Sequence, residues 1–172
     1  MLNGKLSINS IYTKEQVWEF LSEIPDPEIP VITITELGVV RSVEISENIA
    51  VITITPTYTG CPAMKLFEDE IVSTLKQKGF DSVEIKLVYS PAWTTNWMSD
   101  EAKEKLREYG IAPPIDGTED KGVLFSSDTK VVPCPRCKSK KTTLKSQFGS
   151  TACKALYQCN DCLEPFDHFK CI

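Results

Sequence analysis

The first half of the chain alternates between helical and strand-like patterns of apolar residues. Behind a capping box formed by Thr13 and Gln16, apolar positions recur on one helical face, and the pattern predicts a helix that ends at Pro25. That face comprises Val17, Phe20, Leu21 and Ile24. Two β-branched runs, at residues 39–45 and 49–55, are joined by a short polar turn and predict a β-hairpin.

Further apolar patterns predict a second helix and a third strand. An Ile-Thr alternation at residues 32–35 echoes the one at residues 52–55 and is typical of a strand. A helix is predicted from Pro62 to Gly79, because proline is tolerated at the first helical position and glycine often follows the last. A strand is predicted next, at residues 83–88.

These elements predict an α+β fold, in which a small mixed sheet carries helices packed on one face. A short polar helix, Asp100–Tyr109, is expected between the cap residues Ser99 and Gly110. Residues 116–130 are rich in Gly, Asp, Ser and Thr and are expected to form a linker. The expected domains are therefore residues 1–115, with this fold, and residues 131–172.

Four cysteines in the C-terminal segment have the spacing of a metal site. Cys134 and Cys137 form one CxxC pair, Cys159 and Cys162 form another, and 21 residues separate the two pairs. Two such turns can offer four thiolates to one tetrahedral ion, which predicts a zinc ribbon. A closed all-cysteine site indicates a structural zinc, with iron as the chemical alternative. Two disulfides are the competing interpretation, disfavoured for a chain that is expected to stay in a reducing compartment.

Composition and charge narrow the function classes. The 172 residues are 41% hydrophobic, enough for one core plus a small metal-dependent module. Residues 1–129 carry 11 Lys and Arg against 21 Asp and Glu, whereas residues 130–172 carry 8 against 3. The acidic body is expected to repel a phosphate backbone, so protein partners or an anionic group such as coenzyme A are favoured over nucleic acid.

The sequence shows no sign of a membrane segment or of export. No apolar run has the length needed to cross a bilayer, and the N-terminal residues lack the charged start, apolar run and cleavage site of a signal peptide. We therefore expect a cytoplasmic protein without a membrane partner.

Cys61 is the strongest candidate for chemistry outside the ribbon. It lies between a predicted strand and a predicted helix, where helix N-terminal amides stabilise a thiolate. Thr57 and Thr59 can supply hydroxyls beside it, and a plain packing role is the alternative. Because the one histidine, His168, lies far away in the ribbon segment, cysteine–histidine hydrolysis is disfavoured.

The remaining candidates are two carboxylates and two further thiols. Asp26 and Glu28 lie on a proline-stiffened turn from which they can reach a metal or a basic partner, and a solvated turn is the alternative. Cys153 and Cys171 are expected from the residues alone to be small buried apolar side chains of the ribbon segment. No catalytic residue is assigned.

Several motifs together resemble known families. Residues 26–28 (DPE), 37–40 (LGVV) and 57–62 (TYTGCP) resemble the iron-sulfur cluster assembly domain shared by SufT-type proteins. In the second half, the resemblance is to the PaaD family, the D component of the phenylacetyl-CoA epoxidase system. It rests on residues 110–114, the CPRC pair, and residues 148–157 and 164–171.

This resemblance implies an accessory protein of aerobic phenylacetate degradation. The implied role is assembly or maturation of the iron or iron-sulfur centres of the epoxidase, with Cys61 as a transient ligand and Asp26 and Glu28 assisting. The implied partners are the oxygenase and reductase subunits and the iron-sulfur assembly machinery. Cys153 and Cys171 lie within the motifs that carry the resemblance. The resemblance therefore implies a role for these two thiols that the residues alone do not indicate.

Two other functions stay open. The chain could be a stable structural or electron-transfer component of the epoxidase complex. It could also be a thiol-redox enzyme that uses Cys61 with a ribbon cysteine. Catalysis by the chain alone is disfavoured, because one histidine and the absence of a GxGxxG loop leave no di-iron or dinucleotide site.

Overall fold

The computed structural model of the chain describes residues 12–115 and 131–170. The predicted linker at residues 116–130 and the predicted thiol Cys171 lie outside the described residues. In chain order the elements are α1 (Lys14–Leu21), β1 (Val40–Ser46), β2 (Ile49–Ile54), α2 (Ala63–Gln77), β3 (Ser82–Leu87), a 3₁₀ turn (Thr95–Trp97), α3 (Asp100–Tyr109), β4 (Thr142–Ser146), β5 (Lys154–Cys159) and β6 (Pro165–Phe169).

The body of the molecule is a three-stranded mixed sheet with helices. β2 lies in the centre, antiparallel to β1 and parallel to β3, with α2 as the crossover between the parallel strands. Buried residues alternate along β2, so one face of the sheet meets the core. The apolar stripe of α2 completes that core with Met64, Phe67, Ile71 and Leu75. The predicted α+β class, hairpin, crossover helix and third strand are confirmed.

The first helix is shorter than predicted. The Thr13–Gln16 capping box is present, but α1 ends at Leu21 instead of continuing to Ile24. The amides of Glu23 and Ile24 bond to the carbonyls of Phe20 and Leu21, three residues back, so the chain tightens into turns before the proline. Ile24 is still buried, but it enters the core from a turn.

The Ile-Thr alternation at residues 32–35 is not a strand, and that prediction is wrong. These residues form turns, in which the Thr33 amide donates to the Glu36 carboxylate at 3.0 Å. Ile32 and Ile34 are fully buried all the same. Hydrogen bonds between side chains and the backbone stabilise a turn here in place of strand pairing. Alternation of apolar and polar residues is compatible with either structure.

The C-terminal module is a small antiparallel sheet in the order β4-β5-β6. Its own core is small and consists of Ala112, Val132, Cys134, Cys159 and Phe166. So few buried residues are not enough to hold such a segment folded by apolar burial alone. No helix within residues 12–115 and 131–170 has the length and apolar character of a membrane span.

The ribbon sheet is docked on the body through both backbone and side chains. The Ala112 amide donates to the Asp167 carbonyl at 2.8 Å, and the Phe169 amide donates to the Ala112 carbonyl at 2.9 Å. Phe169 and Cys153 are buried in the core of the body, where the Phe169 ring meets Trp93 edge to face at 6.1 Å. The two sheets therefore share one buried interface.

We predict that Phe169→Ala loosens this interface. Phe169 is 2% exposed, and removal of a buried phenyl ring costs about 3–5 kcal/mol. Phe148→Ala is the matched control, because Phe148 is 55% exposed and such a surface substitution costs less than about 1 kcal/mol. Urea denaturation of both variants gives the comparison. Equal small losses of unfolding free energy would contradict the docked arrangement.

Candidate functional site

The structure gathers the four predicted ribbon cysteines at one point. The sulfurs of Cys134, Cys137, Cys159 and Cys162 all lie within 4.8 Å of one another. Cys134 Sγ lies 3.7 Å from Cys162 Sγ, and Cys137 Sγ lies 3.5 Å from Cys159 Sγ. A disulfide has a sulfur–sulfur distance of about 2.05 Å, so these pairs are free thiols.

This arrangement fits a tetrahedral metal. Thiolates bound to zinc at about 2.3 Å in a tetrahedron lie about 3.8 Å apart, close to the two sulfur–sulfur distances of this site. The Cys162 amide donates to Cys159 Sγ and, with further backbone help from Asp161, lowers the pKa of that thiol to about 6. The distances between the four sulfurs are therefore suited to a divalent metal with four thiolate ligands, a set that leaves no open position for substrate.

Polar contacts between residues other than the four cysteines link the two CxxC turns. The Ser139 hydroxyl donates to Asp161 Oδ2 at 2.6 Å, and Lys141 Nζ lies 3.3 Å from Asp161 Oδ1. Arg136 pairs with Glu164 at 3.2 Å. Each link joins the first turn or the residues after it to the second turn, so the chain brings the thiols together with its own polar contacts.

Cys61 lies where it was predicted, in the turn between β2 and α2. Its amide donates to the Tyr58 carbonyl at 3.2 Å, and Gly60 before it has a φ of +86°, which favours glycine. The amide of Ala63, the first residue of α2, donates to the Cys61 sulfur, as does the Thr57 hydroxyl. The helix start therefore does face this thiol, and Cys61 is half-buried.

The expectation that this environment favours the thiolate is nevertheless wrong. Burial raises the pKa of the Cys61 thiol, and the carboxylates of Glu28 and Asp26 add to the rise. The Ala63 amide and the Thr57 hydroxyl oppose it without reversing it. The sequence showed the helix start but not the two carboxylates that fold against it. Cys61 is thus a thiol among acidic groups.

Asp26 organises the turn that carries Glu28. One oxygen, Asp26 Oδ1, accepts the amides of Glu28 and Ile29 at 2.8 and 2.7 Å. Asp26 is 6% exposed, and burial raises its pKa against the opposing effect of those two amides. Its oxygens shape the loop, while the half-buried Glu28 carboxylate is directed at the ribbon.

The partner of Glu28 is a ribbon cysteine. Cys153 Sγ lies 3.8 Å from Glu28 Oε2, a contact between residues 125 positions apart, and 3.0 Å from the Thr151 hydroxyl. Cys153 is 6% exposed, and burial raises the pKa of its thiol to about 11. The expected burial of Cys153 is confirmed, but it is buried in the core of the body, beside Glu28.

A thiolate at Cys61 would raise the pKa of Cys153, and a thiolate at either cysteine would raise the pKa of Tyr58. Burial raises the pKa of Tyr58 to about 12, and Cys61, Cys153 and Glu28 add to the rise. Lys154 is buried beside this group, where its charge acts on Asp26 and Cys153. We call the set of Asp26, Glu28, Tyr58, Cys61 and Cys153 the two-thiol site.

Several features of the two-thiol site are not evident from the sequence. Tyr58 stands inside the TYTGCP motif without any signal that gives it a role, and nothing local indicates that Lys154 lies near Asp26. Of the two threonines predicted beside Cys61, Thr57 does contact its sulfur, whereas Thr59 is exposed.

Comparison with known proteins agrees with the two halves of the structure. Residues 14–87 match the family described as an iron-sulfur cluster assembly protein, and residues 118–170 match the PaaD zinc beta ribbon domain. A crystal structure of a domain of unknown function, DUF59, from Bacillus anthracis has a TM-score of 0.51 and is 31% identical. That match covers 54% of this chain and 90% of the other.

Full-length similarity joins the two halves. An Fe-S protein maturation auxiliary factor from Porphyromonas gingivalis is 33% identical over 56% of this chain and 92% of its own length. A protein of Escherichia coli K12, provisionally named as the D component of 1,2-phenylacetyl-CoA epoxidase, is 52% identical over 91% of this chain and 92% of its own length. The iron-sulfur assembly domain, the four-cysteine ribbon and this similarity together show that the chain belongs to the PaaD family.

Proposed function

We propose that this chain is an accessory protein that assembles or matures the iron or iron-sulfur centres of a phenylacetyl-CoA epoxidase system. The observation that carries the proposal is Cys61, held at the start of α2 by the Ala63 amide in a domain whose relatives include Fe-S maturation factors. Its role is that of a transient ligand of the iron cargo. Half-burial leaves one side of its sulfur open to a client.

The acidic surroundings of Cys61 suit a cation in transit. The Cys61 thiol resists becoming a thiolate in the metal-free chain because burial raises its pKa, and the negative charges of Glu28 and Asp26 raise it further. An arriving iron centre supplies positive charge, takes the sulfur as ligand and releases its proton. Such a site binds cargo without exposing a reactive thiolate while it is empty, as a carrier requires.

We assign the ribbon a structural zinc. Four thiolates leave no open position for substrate, and the family it matches is a zinc ribbon. Iron has the same tetrahedral thiolate geometry, so the spacing alone does not choose between them. The proposed partners are the oxygenase and reductase subunits of the epoxidase, in keeping with the name of the Escherichia coli relative.

A thiol-redox function is the second candidate, because Cys61 and Cys153 share a site. It ranks behind the first because both thiols have raised pKa values, and a thiol is a poor nucleophile in exchange. Mass mapping after mild oxidation tests it. A Cys61–Cys153 disulfide that forms readily and is reduced by a thiol would favour this candidate.

We predict that Cys61→Ser leaves the fold intact and lowers the iron of the client. The half-buried thiol is replaced by a similar hydroxyl, so the unfolding free energy should change by less than about 1 kcal/mol. The measurement is the iron content of oxygenase and reductase subunits, produced with the wild-type chain, with the variant or without the chain, and purified anaerobically.

Thr59→Ala is the matched control for that experiment. Thr59 lies two residues from Cys61 but is exposed, so client iron should equal that obtained with the wild-type chain. Full client iron with Cys61→Ser would refute the role of this thiol. Full iron and missing epoxidase activity without the chain would instead mark it as a working component of the complex.

We predict that replacement of any one of the four ribbon cysteines by serine unfolds residues 131–172. The small core of the module depends on the metal, and structural zinc supplies about 10–16 kcal/mol in isolated zinc fingers. Bound zinc per chain and limited proteolysis report the outcome. Cys153→Ala, in the same module but outside the ligand set, should keep one zinc. A ligand variant that stays protease-resistant would count against a structural metal.

A further inference from the structure

Cys153 is held in place by the backbone on both sides. Its carbonyl accepts the Lys170 amide at 2.9 Å, and the following residue, Lys154, is paired with Phe169 in the register of β5 and β6. The Lys154 carbonyl accepts the Gly149 amide at 2.6 Å, which closes the loop before the strand. The position of Cys153 therefore follows from the ribbon sheet and from its docking on the body.

This thiol has no part in the ribbon metal site. Within the described residues, the one group of metal-binding side chains with all ligand atoms inside 4.8 Å is the ribbon quartet, and Cys153 does not belong to it. Its sulfur instead meets Glu28 Oε2, across the interface between the two sheets. Cys153 is thus positioned by the ribbon sheet but makes its side-chain contact with the body.

The donor atoms at the two-thiol site are of the kinds that ligate iron, thiolate sulfur and carboxylate oxygen. The Cys153 sulfur lies 3.8 Å from Glu28 Oε2, and the Glu28 turn is held by the Asp26 carboxylate. Cys61 packs against the core cluster that contains Cys153. These donors do not converge on one point as the ribbon quartet does, whose ligand atoms all lie within 4.8 Å of one another. In an iron-sulfur cluster the thiolates bind different irons, so sulfurs that do not converge on a single ion can hold one cluster between them.

We propose that Cys153 is a second ligand of the iron-sulfur cargo held by Cys61, so that docking of the ribbon completes the transfer site. This inference rests on the proposed function and names the cargo and the ligands of that same site. Each thiol gives up its proton as its sulfur binds an iron of the cluster. The cluster positions that these residues leave free remain open to client thiols, as transfer requires.

The burial of the two sulfurs gives them different places in the transfer. Cys153 is 6% exposed and holds the cargo from the inside, whereas the half-buried Cys61 lies nearer to the solvent. A client thiol therefore displaces Cys61 first and Cys153 second. The Thr151 hydroxyl, 3.0 Å from the Cys153 sulfur, donates to the thiolate form and stabilises it.

The test uses the full chain with zinc already in the ribbon. The protein is incubated anaerobically with ferrous iron, sulfide and dithiothreitol, desalted, and assayed for iron, sulfide and zinc. We expect wild-type chain to retain iron and sulfide in equal amounts. Cys61→Ser and Cys153→Ala should each retain at least about tenfold less, with zinc unchanged, because each lacks one cluster ligand. Ala155→Ser, a polar change at a buried position of β5 two residues after Cys153, is the control and should retain the wild-type amount.

Retention of the cluster by Cys153→Ala, or its absence from the wild-type chain, would overturn the inference. Neither result bears on the proposed function, which is tested separately by the iron content of the client subunits. Failure of the proposed function can therefore be distinguished from failure of the inference. Iron retained without sulfide would also overturn it, since the site would then hold a single ion.

Thr151→Val keeps the inference testable should Cys153→Ala fail to fold. The variant removes the hydrogen bond to the Cys153 sulfur but leaves both thiols in place. Hydrogen bonds to a cluster thiolate raise its reduction potential, so we expect the cluster to be retained with a more negative potential. An unchanged potential in Thr151→Val would show that Cys153 is not a ligand.

Discussion

The contact on which the rest of the structure depends is the docking of the last ribbon strand on the body. Two backbone hydrogen bonds with Ala112 anchor β6, and Phe169 inserts its ring beside Trp93 in the larger core. Ile111 belongs to the core of the body and Ala112 to that of the ribbon, so the chain joins the two at adjacent residues. Burial of the Phe169 ring and the Cys153 thiol thereby fixes the position of the ribbon sheet on the body.

This docking connects the ribbon metal site to the proposed cargo site in the body. The four thiols hold a segment whose own core is too small to fold alone, and that segment places Cys153 beside Glu28. A structural metal can in this way position a residue at a distant site without taking part in its reaction. The separation of the four-thiol ribbon site from Cys61 agrees with the proposed accessory role, in which the cargo leaves and a metal in the ribbon stays.

Local features of the structure could be read from the sequence, and features that depend on distant contacts could not. α3 has the predicted bounds because Ser99 and Gly110 cap it with their own side-chain and backbone geometry. The four ribbon thiols were likewise evident from spacing alone. The strand prediction at residues 32–35 was wrong because Thr33 and Glu36 bond within a turn. The thiolate prediction for Cys61 was wrong because burial in the folded chain raises the pKa of that thiol, and Glu28 adds to the rise. The contact of Cys153 with Glu28 joins residues 125 positions apart and has no local signal.

The central claim, that docking of the ribbon completes the cargo site, is tested most directly by native mass spectrometry of Phe169→Ala. After anaerobic incubation with iron and sulfide, the wild-type chain should carry one zinc and one cluster together. Phe169→Ala keeps all four ribbon thiols, Cys61 and Cys153 but loses the ring that anchors β6. We predict that this variant carries zinc without the cluster. A loosened Phe169→Ala chain that carried as much cluster as the wild type would contradict the claim.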